Sequence, residues 1–375
     1  MKILHSPFGE LKLSRWPKRK NDTLRAWDAA DEYLLEHLAE HKLPELSSRI
    51  LVINDAFGAL SCALDSFVLT HWSDSKISHL AAADNSTKEG CSLEYLQSTD
   101  ELSGEYHLVL IKVPKTMALL EEQLIRLRSH LANDAKIVAA GMVKHLPKSA
   151  FQLFEKHIGS LTTSLAKKKA RLIFVEPNQS LPVTSSPYPT SYSDDEIGLN
   201  LSNHANLFSR DHLDLGARFF LQQFAQLPDA KQVVDLACGN GVLGIKYQQQ
   251  FPDSIIQFLD ESYMAVASAS SNYVQAFNNE IAKASFRAED GLTQVENDSV
   301  GLILCNPPFH QQHVIGEQIA MELFHHSKRC LQAGGEIWIV ANRHLDYPAK
   351  LKRLFGNCRL VSSDKKFVVL SSKKR

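Results

Sequence analysis

Short runs of β-branched and aliphatic residues alternate along this chain with longer stretches whose apolar positions recur every three to four residues. That alternation predicts βαβ units winding a mainly parallel sheet. In the second half the order reads directly. QVVDLA (Gln232 to Ala237) is a first strand, followed by a glycine-rich turn, a helix near Leu243 to Gln250 and a second strand, IIQFLD (Ile255 to Asp260). Tyr263 to Ala276 reads as a helix, Ala284 to Ala288 as a short strand and VGLILC (Val300 to Cys305) as a buried one. Ile319 to Leu331 reads as a helix stopped by the pair Gly334-Gly335, and EIWIVA (Glu336 to Ala341) and FVVLSS (Phe367 to Ser372) supply two late strands.

The first half repeats this plan. ILVINDAFGAL (Ile50 to Leu60) stands where VVDLACGNGVL stands later, and LVLIKVPK (Leu108 to Lys115) where LILCNPPF does. HLANDAKIVAAGMVKHL echoes CLQAGGEIWIVANRHL in the same order, so the expectation is a duplicated α/β domain. Between the copies, residues 176–196 carry four prolines and no apolar periodicity, which marks a linker between an N-terminal domain, 1–175, and a C-terminal domain, 197–375.

Composition changes this picture little. With 375 residues, 44% hydrophobic and 22% charged, the chain is long enough for two cores and is neither disordered nor collagen-like. No signal-peptide pattern opens it and no long uncharged apolar run crosses it, which predicts a cytoplasmic protein without membrane spans. Its six cysteines are scattered and read as reduced thiols. No Cys/His pair at ligand spacing is matched by a second. His310, His313, His325 and His326 lack a carboxylate set, so no metal is expected. A net charge of -1 leaves open a nucleic-acid partner, since only clustering of the basic residues would matter.

Candidate chemistry gathers at strand ends in the second half. Asp235 closes the first strand and precedes the turn Gly239-Asn240-Gly241, where glycine lets backbone approach a ligand. Asp260, at the end of the next strand, can accept hydrogen bonds from both hydroxyls of a ribose. Gly239, Gly241 and Gly244 keep the dinucleotide-binding spacing, so these residues do not separate NAD from S-adenosylmethionine. The discriminating feature is Asn306-Pro307-Pro308-Phe309, directly after a buried strand. Two prolines stiffen the loop, the Asn306 oxygen and the Pro307 carbonyl can accept from an NH2 group, and Phe309 can stack on a planar base. That combination suits an exocyclic amine, of guanine, adenine N6 or a glutamine side chain.

DLACGNGVLG, LDES, the AEDG around Asp290 and NPPF together resemble the class I S-adenosylmethionine-dependent methyltransferases. The duplicated layout, HANLFSRDHLDLGARFF and NPPFHQQH resemble more closely the bacterial ribosomal RNA guanine-N2 methyltransferases, in their large-subunit branch, over nearly the whole chain. The resemblance implies two tandem Rossmann-like methyltransferase domains, the N-terminal one degenerate, and S-adenosyl-L-methionine as cofactor. It places Asp235, Ala237, Gly239, Asn240 and Gly241 along the methionine part, Asp260 on the ribose and Asp290 at the adenine amine. Asn306, Pro307, Pro308 and Phe309 would grip an unstacked guanine of 23S ribosomal RNA. Ala237 stands where many relatives have glycine.

The N-terminal copy has Asn54-Asp55-Ala56-Phe57-Gly58 facing the later Asp-x-x-x-Gly-x-Gly, and Lys112-Val113-Pro114-Lys115 facing Asn-Pro-Pro-Phe. Cofactor binding is therefore expected to be lost there. Lys112, Lys115, Lys167, Lys168, Lys169 and Arg171 read either as a phosphate-binding surface or as a solvated basic face. Alternative readings remain: a 16S guanine-N2 or adenine-N6 methyltransferase, a non-catalytic RNA-binding assembly factor, and an NAD-linked reductase.

Overall fold

The computed structural model describes the chain except Met1, residues 20–21, Leu46, and residues 87–92, 279–280 and 308–312; for 313–317 it describes the backbone alone. It divides into two compact units, Met1–Tyr188 and Pro189–Arg375.

In the N-terminal unit β1 (Lys2–Ser6) and β2 (Gly9–Leu13) form a hairpin. The sheet comprises β3 (Arg49–Ile53), β4 (Val68–Ser73), β5 (Leu93–Gln97), β6 (Tyr106–Lys112), β7 (Leu131–Met142), β8 (Leu161–Thr163) and β9 (Ala170–Val175), in the order β5-β4-β3-β6-β7-β9-β8. The C-terminal unit opens on a hairpin of β10 (Thr190–Asp194) and β11 (Leu199–Asn203). Its sheet comprises β12 (Gln232–Leu236), β13 (Ile255–Asp260), β14 (Ala284–Ala288), β15 (Val300–Cys305), β16 (Leu331–Asn342), β17 (Arg359–Ser363) and β18 (Phe367–Lys373), in the order β14-β13-β12-β15-β16-β18-β17.

Counted from its own first strand, each sheet has the same order. In each, one late strand, β9 or β18, runs antiparallel to both neighbours while the other pairs are parallel. Even an irregularity is shared: the register slips between Tyr106 and Leu108 in one sheet and between Val300 and Leu302 in the other. Duplication therefore shows in topology as well as in motif order.

The unbroken apolar strands follow from burial on both faces. In the C-terminal sheet Val233, Leu302, Leu304, Trp338 and Val340 enter one core, while Val234, Leu236, Ile303, Cys305, Ile337 and Ile339 enter the other. By the same alternation Asp235 lies on the Val233 face, which the helices Leu215–Leu221, Val242–Gln250 and Tyr263–Ala276 cover.

Two sequence readings need correction. The segment read as linker is not free of structure: Thr190–Asp194 is a strand, and it belongs to the C-terminal unit. Its alternating Thr, Ser and Tyr suit a two-stranded edge, which needs no apolar run. The helix read as ending at Leu331 ends at Cys330, but Gly334-Gly335 are not its stop signal; they fall inside β16, Gly334 at φ +82, where the register slips. Gly335 leaves no space for a side chain, since a Cβ there would lie 3.0 Å from the carbonyl oxygens of Val300 and Gly301.

Candidate functional site

β14, β13, β12 and β15 lie side by side and parallel, so their carboxyl ends form one edge. The chain leaves β12 for β13 and β14 on one side and returns to β15 on the other, which makes this edge the topological switch point. Asp235, Asp260, Asp290 and Asn306 are brought to it from four different strands.

The turn after β12 carries three left-handed residues, Ala237 (φ +56), Gly239 (φ +54) and Gly241 (φ +81). Gly241 begins the helix Val242–Gln250, and Gly244 is needed because a Cβ there would stand 2.4 Å from the Phe258 ring on β13. Gly239 is the opposite case: its Cβ would meet nothing within 4 Å, so the space above it is open. Three amides of the turn are used inside the fold, Cys238 N donating to the Leu259 carbonyl, Gly239 N to Asp260 Oδ2 and Gly241 N to the Cys238 carbonyl, which fixes the turn's shape beneath that space.

Asp235 is fully buried. Its Oδ2 accepts from the Gly244 amide at 2.8 Å, and among the described residues its buried Oδ1 has no partner. Burial pushes its pKa up to about 8, with Asp260 adding to the rise and the Gly244 bond opposing it. Asp260 bridges the turn to the next helix, Oδ2 accepting from Gly239 N and Oδ1 from Ser262 N, each at 3.0 Å. The helix cap itself is Ser262, so Asp260 is not spent as one. Asp290, half-buried, follows β14. A turn with open space above Gly239, an unused acceptor beneath and a carboxylate at the next strand end fits S-adenosylmethionine.

Asn306 follows β15, and its Nδ2 donates to Asp214 Oδ2 at 3.0 Å. A carboxylate only accepts, so this contact must use the amide nitrogen, leaving the oxygen at the other corner. Pro307 is buried; Pro308, Phe309 and His310 lie outside the described residues.

Sequence reading missed the residues that hold these parts in place. Asp214 caps the helix Leu215–Leu221, accepting from Ala217 N at 2.8 Å. The β10–β11 hairpin is tied to the glycine turn by three asparagines. Asn240 donates to Asn203 Oδ1 at 3.1 Å, and Asn272 donates to the carbonyls of Ser202 and Asn240 at 3.0 Å and accepts from Ser202 N at 2.7 Å. Asp214 stands inside the HLDLGARFF segment already singled out; nothing local marks Asn203 or Asn272, because their partners are tens of residues away.

In the N-terminal unit strand register agrees with the pairing of ILVINDAFGAL with VVDLACGNGVL and overturns the one that set Asn54 against Asp235. Val52, not Asn54, holds the position of Asp235, and Asn54 (φ +62) that of Ala237. Asp55 replaces Cys238, Ala56 replaces Gly239 and Ser73 replaces Asp260, while Gly58 (φ +80) keeps the place of Gly241. The Asp55 carboxylate accepts from the amides of Ala59, Leu60 and Ser61, so the helix start is satisfied by the chain itself. Lys112 takes the place of Asn306, and it is not the exposed cation expected. It is half-buried, held by Asp28 at 2.8 Å and Asp31 at 2.6 Å. Arg171 is likewise half-buried within β9, its Nε enclosed. Lys167 and Lys168 are exposed and paired with Glu36 and Glu32 at 2.6 and 2.8 Å; Lys115 and Lys169 are exposed.

Among the described residues no three His, Cys, Asp or Glu side chains are grouped to hold a metal ion, and no helix is long and apolar enough to cross a membrane.

Two family models match the chain, "RLMG N-terminal domain" over residues 1–179 and "Methyltransferase small domain" over residues 198–371. A protein of Ectopseudomonas mendocina described as ribosomal RNA large subunit methyltransferase G is 48% identical over the full length of both chains. One of the same description from Stutzerimonas stutzeri is 47% identical over 99% of each. Among solved structures, the 16S rRNA N2 G1207 methyltransferase of T. thermophilus, in complex with AdoMet and guanosine, superposes with a TM-score of 0.79 over 100% of this chain and 98% of its own. Its identity of 17% makes this a likeness of fold.

Proposed function

Since the chain belongs to the ribosomal RNA large subunit methyltransferase G family, we propose that its C-terminal unit methylates the exocyclic N2 of a guanine in 23S ribosomal RNA, with S-adenosylmethionine as donor. The observation that carries the reading is the Asn306 amide, fixed by Asp214 at the switch-point edge beside the open glycine turn. S-adenosylmethionine supplies an activated methyl on a sulfonium centre. The chain's own residues do the rest by placement. Asp260 and the glycine turn with its open space above Gly239 would hold the donor along the strand ends, and Asp290 would mark its adenine end. Asn306 Oδ1 and the Pro307 carbonyl accept the two hydrogens of the guanine amine, which turns its lone pair towards the methyl group. Phe309 stacks on the base. As the new N–C bond forms, the C–S bond would break to leave a neutral thioether, and the amine proton, made acidic by the new bond, would pass to water; placement therefore accounts for most of the acceleration and no strong general base is required.

The amine of a guanine within a duplex cannot enter such a loop, so the substrate is an unstacked nucleotide. The N-terminal unit, where Asp55 takes up the amides at its own turn and Lys112 stands in place of Asn306, serves to hold RNA through Lys115, Lys167, Lys168 and Lys169. A ribosomal RNA substrate supports a cytoplasmic location.

The test is transfer of labelled methyl to ribosomal RNA from cells lacking the gene, followed by mapping of the product. Asn306→Ala should lower kcat about 100-fold while calorimetry still detects S-adenosylmethionine binding. Full activity in that variant would overturn the assignment. Label on small-subunit RNA or on adenine would redirect the substrate, and no label with no cofactor binding would favour a non-catalytic RNA-binding factor.

A further inference from the structure

The contact between residues 214 and 306 joins side chains 92 positions apart and rests on a single atom. Asp214 Oδ2 accepts both the Ala217 amide at 2.8 Å and the Asn306 amide at 3.0 Å. A primary amide rotated by half a turn keeps its shape but exchanges a donor for an acceptor. Against an NH2 substrate the two orientations are opposite in effect, since one accepts its hydrogens and the other meets them with hydrogens. We propose that Asp214 is the positioning residue of the amine-binding loop, locking the Asn306 amide so that its oxygen alone faces the substrate. This rests on the function proposed above and adds the device by which the loop selects an amine over a carbonyl.

Two further observations support it. Gly216 stands beside the contact: a Cβ there would lie 3.0 Å from Asp214 Oδ2 and 3.7 Å from Asn306 Oδ1. Asp214-Leu215-Gly216 therefore acts as one unit, an acceptor followed by the gap that lets Asn306 reach it. The other copy of the fold keeps the same link with different content. Asp28 caps the helix Ala29–Glu40 as Asp214 caps Leu215–Leu221, and it too bonds the residue that corresponds to Asn306 at the end of the fourth strand, here Lys112. There Asp31 stands where Ala217 stands in the C-terminal unit, and the cap aspartate neutralises a cation instead of orienting an amide. The link from cap to fourth strand belongs to the scaffold; the side chain at its far end decides what it does.

The test separates the cap from the orientation. Asp214→Ser, made in the full chain, keeps a good helix cap but is too short to reach Asn306. Its melting temperature and S-adenosylmethionine affinity should stay near wild type while kcat for ribosomal RNA falls about tenfold or more, with little change in KM. Asp214→Asn presents an oxygen that can take both amides, and should restore kcat to within about threefold of wild type. If the serine variant melts early, Asp214→Thr, a second capping residue, replaces it in the same comparison. Wild-type kcat in the short variants, or a loss in Asp214→Asn as large as in theirs, would overturn the proposal. A wild-type enzyme that transfers no methyl to ribosomal RNA would instead sink the function on which it stands.

Discussion

Gly241 and Ala269 meet across the cofactor turn so closely that a Cβ on the glycine would stand 3.0 Å from the alanine Cβ and 3.1 Å from its Cα. Gly58 and Ala82 repeat the pair in the N-terminal unit at 2.7 and 2.6 Å, although the residues around that turn no longer suit a cofactor. The glycine that ends each turn is kept for packing helix against helix. Gly241→Ala should therefore destabilise the C-terminal unit by about 2–4 kcal/mol, combining left-handed backbone with overpacking. Gly239→Ala has only the backbone cost, about 1 kcal/mol, but puts a methyl into the open space. Thermal melts paired with calorimetry should show the first losing stability and the second losing cofactor affinity.

The raised pKa of Asp235 predicts a pH dependence. Its carboxyl titrates near 8 in the folded chain against an ordinary value of 3.8, with burial the main cause. Between those values the folded state holds a proton that the unfolded chain has released, so stability falls as pH rises from about 4 to about 8 and is flat beyond. Asp235→Asn removes the titration. Melting temperatures measured without cofactor from pH 5 to 9 should decline in the wild type and decline less in the variant; equal slopes would show that Asp235 is not the group responsible.

Lys112 and Lys169 should behave oppositely. Lys112 is half-buried against the buried Asp31, whose pKa burial raises to about 6 even with the lysine attracting its charge. Lys112→Ala would leave that carboxyl without its counter-charge and cost about 3 kcal/mol of stability in the N-terminal unit. Lys169→Ala and Lys115→Ala, both at exposed positions, should leave melting unchanged and lower the salt dependence of RNA binding by about one ion each. Filter binding at several salt concentrations distinguishes them. If neither surface lysine alters the slope, the N-terminal unit does not hold RNA through this face.

Asn272 is 2% exposed and ties the β10–β11 hairpin to the turn through three hydrogen bonds. Asn272→Ala should lower stability by about 2 kcal/mol by leaving buried backbone groups unsatisfied. The loosened Asn240 should also weaken S-adenosylmethionine binding. Hydrogen exchange at residues 199–203 reports the first effect and calorimetry the second. Wild-type protection and affinity would show that the hairpin does not brace the site.

The strands of the C-terminal sheet were legible because a parallel sheet covered on both faces demands unbroken apolar runs, and VVDLA, IIQFLD and VGLILC have no other stable arrangement. The residues at their carboxyl ends were legible too, since a turn that approaches a ligand needs glycine and a stiff acceptor loop needs proline. Harder to read were features whose partner lies far along the chain. Thr190–Asp194 looks like linker because a hairpin edge needs hydrogen bonds to Leu199–Asn203 more than it needs apolar side chains. The pair Gly334-Gly335 was misread because glycines serve a slipped register as well as a helix stop.

By itself the sequence determined the class of fold, its duplication and the chemical types gathered at one edge, all of which depend on periodicity and local backbone preference. Tertiary structure decided orientation and availability. It chose between the two sequence alignments of the N-terminal turn, putting Val52 and not Asn54 opposite Asp235, because pairing with the neighbouring strand fixes the register. It showed Lys112 consumed by two aspartates, and Asn306 turned by a third, because whether a polar group is free depends on what packs against it from elsewhere in the chain.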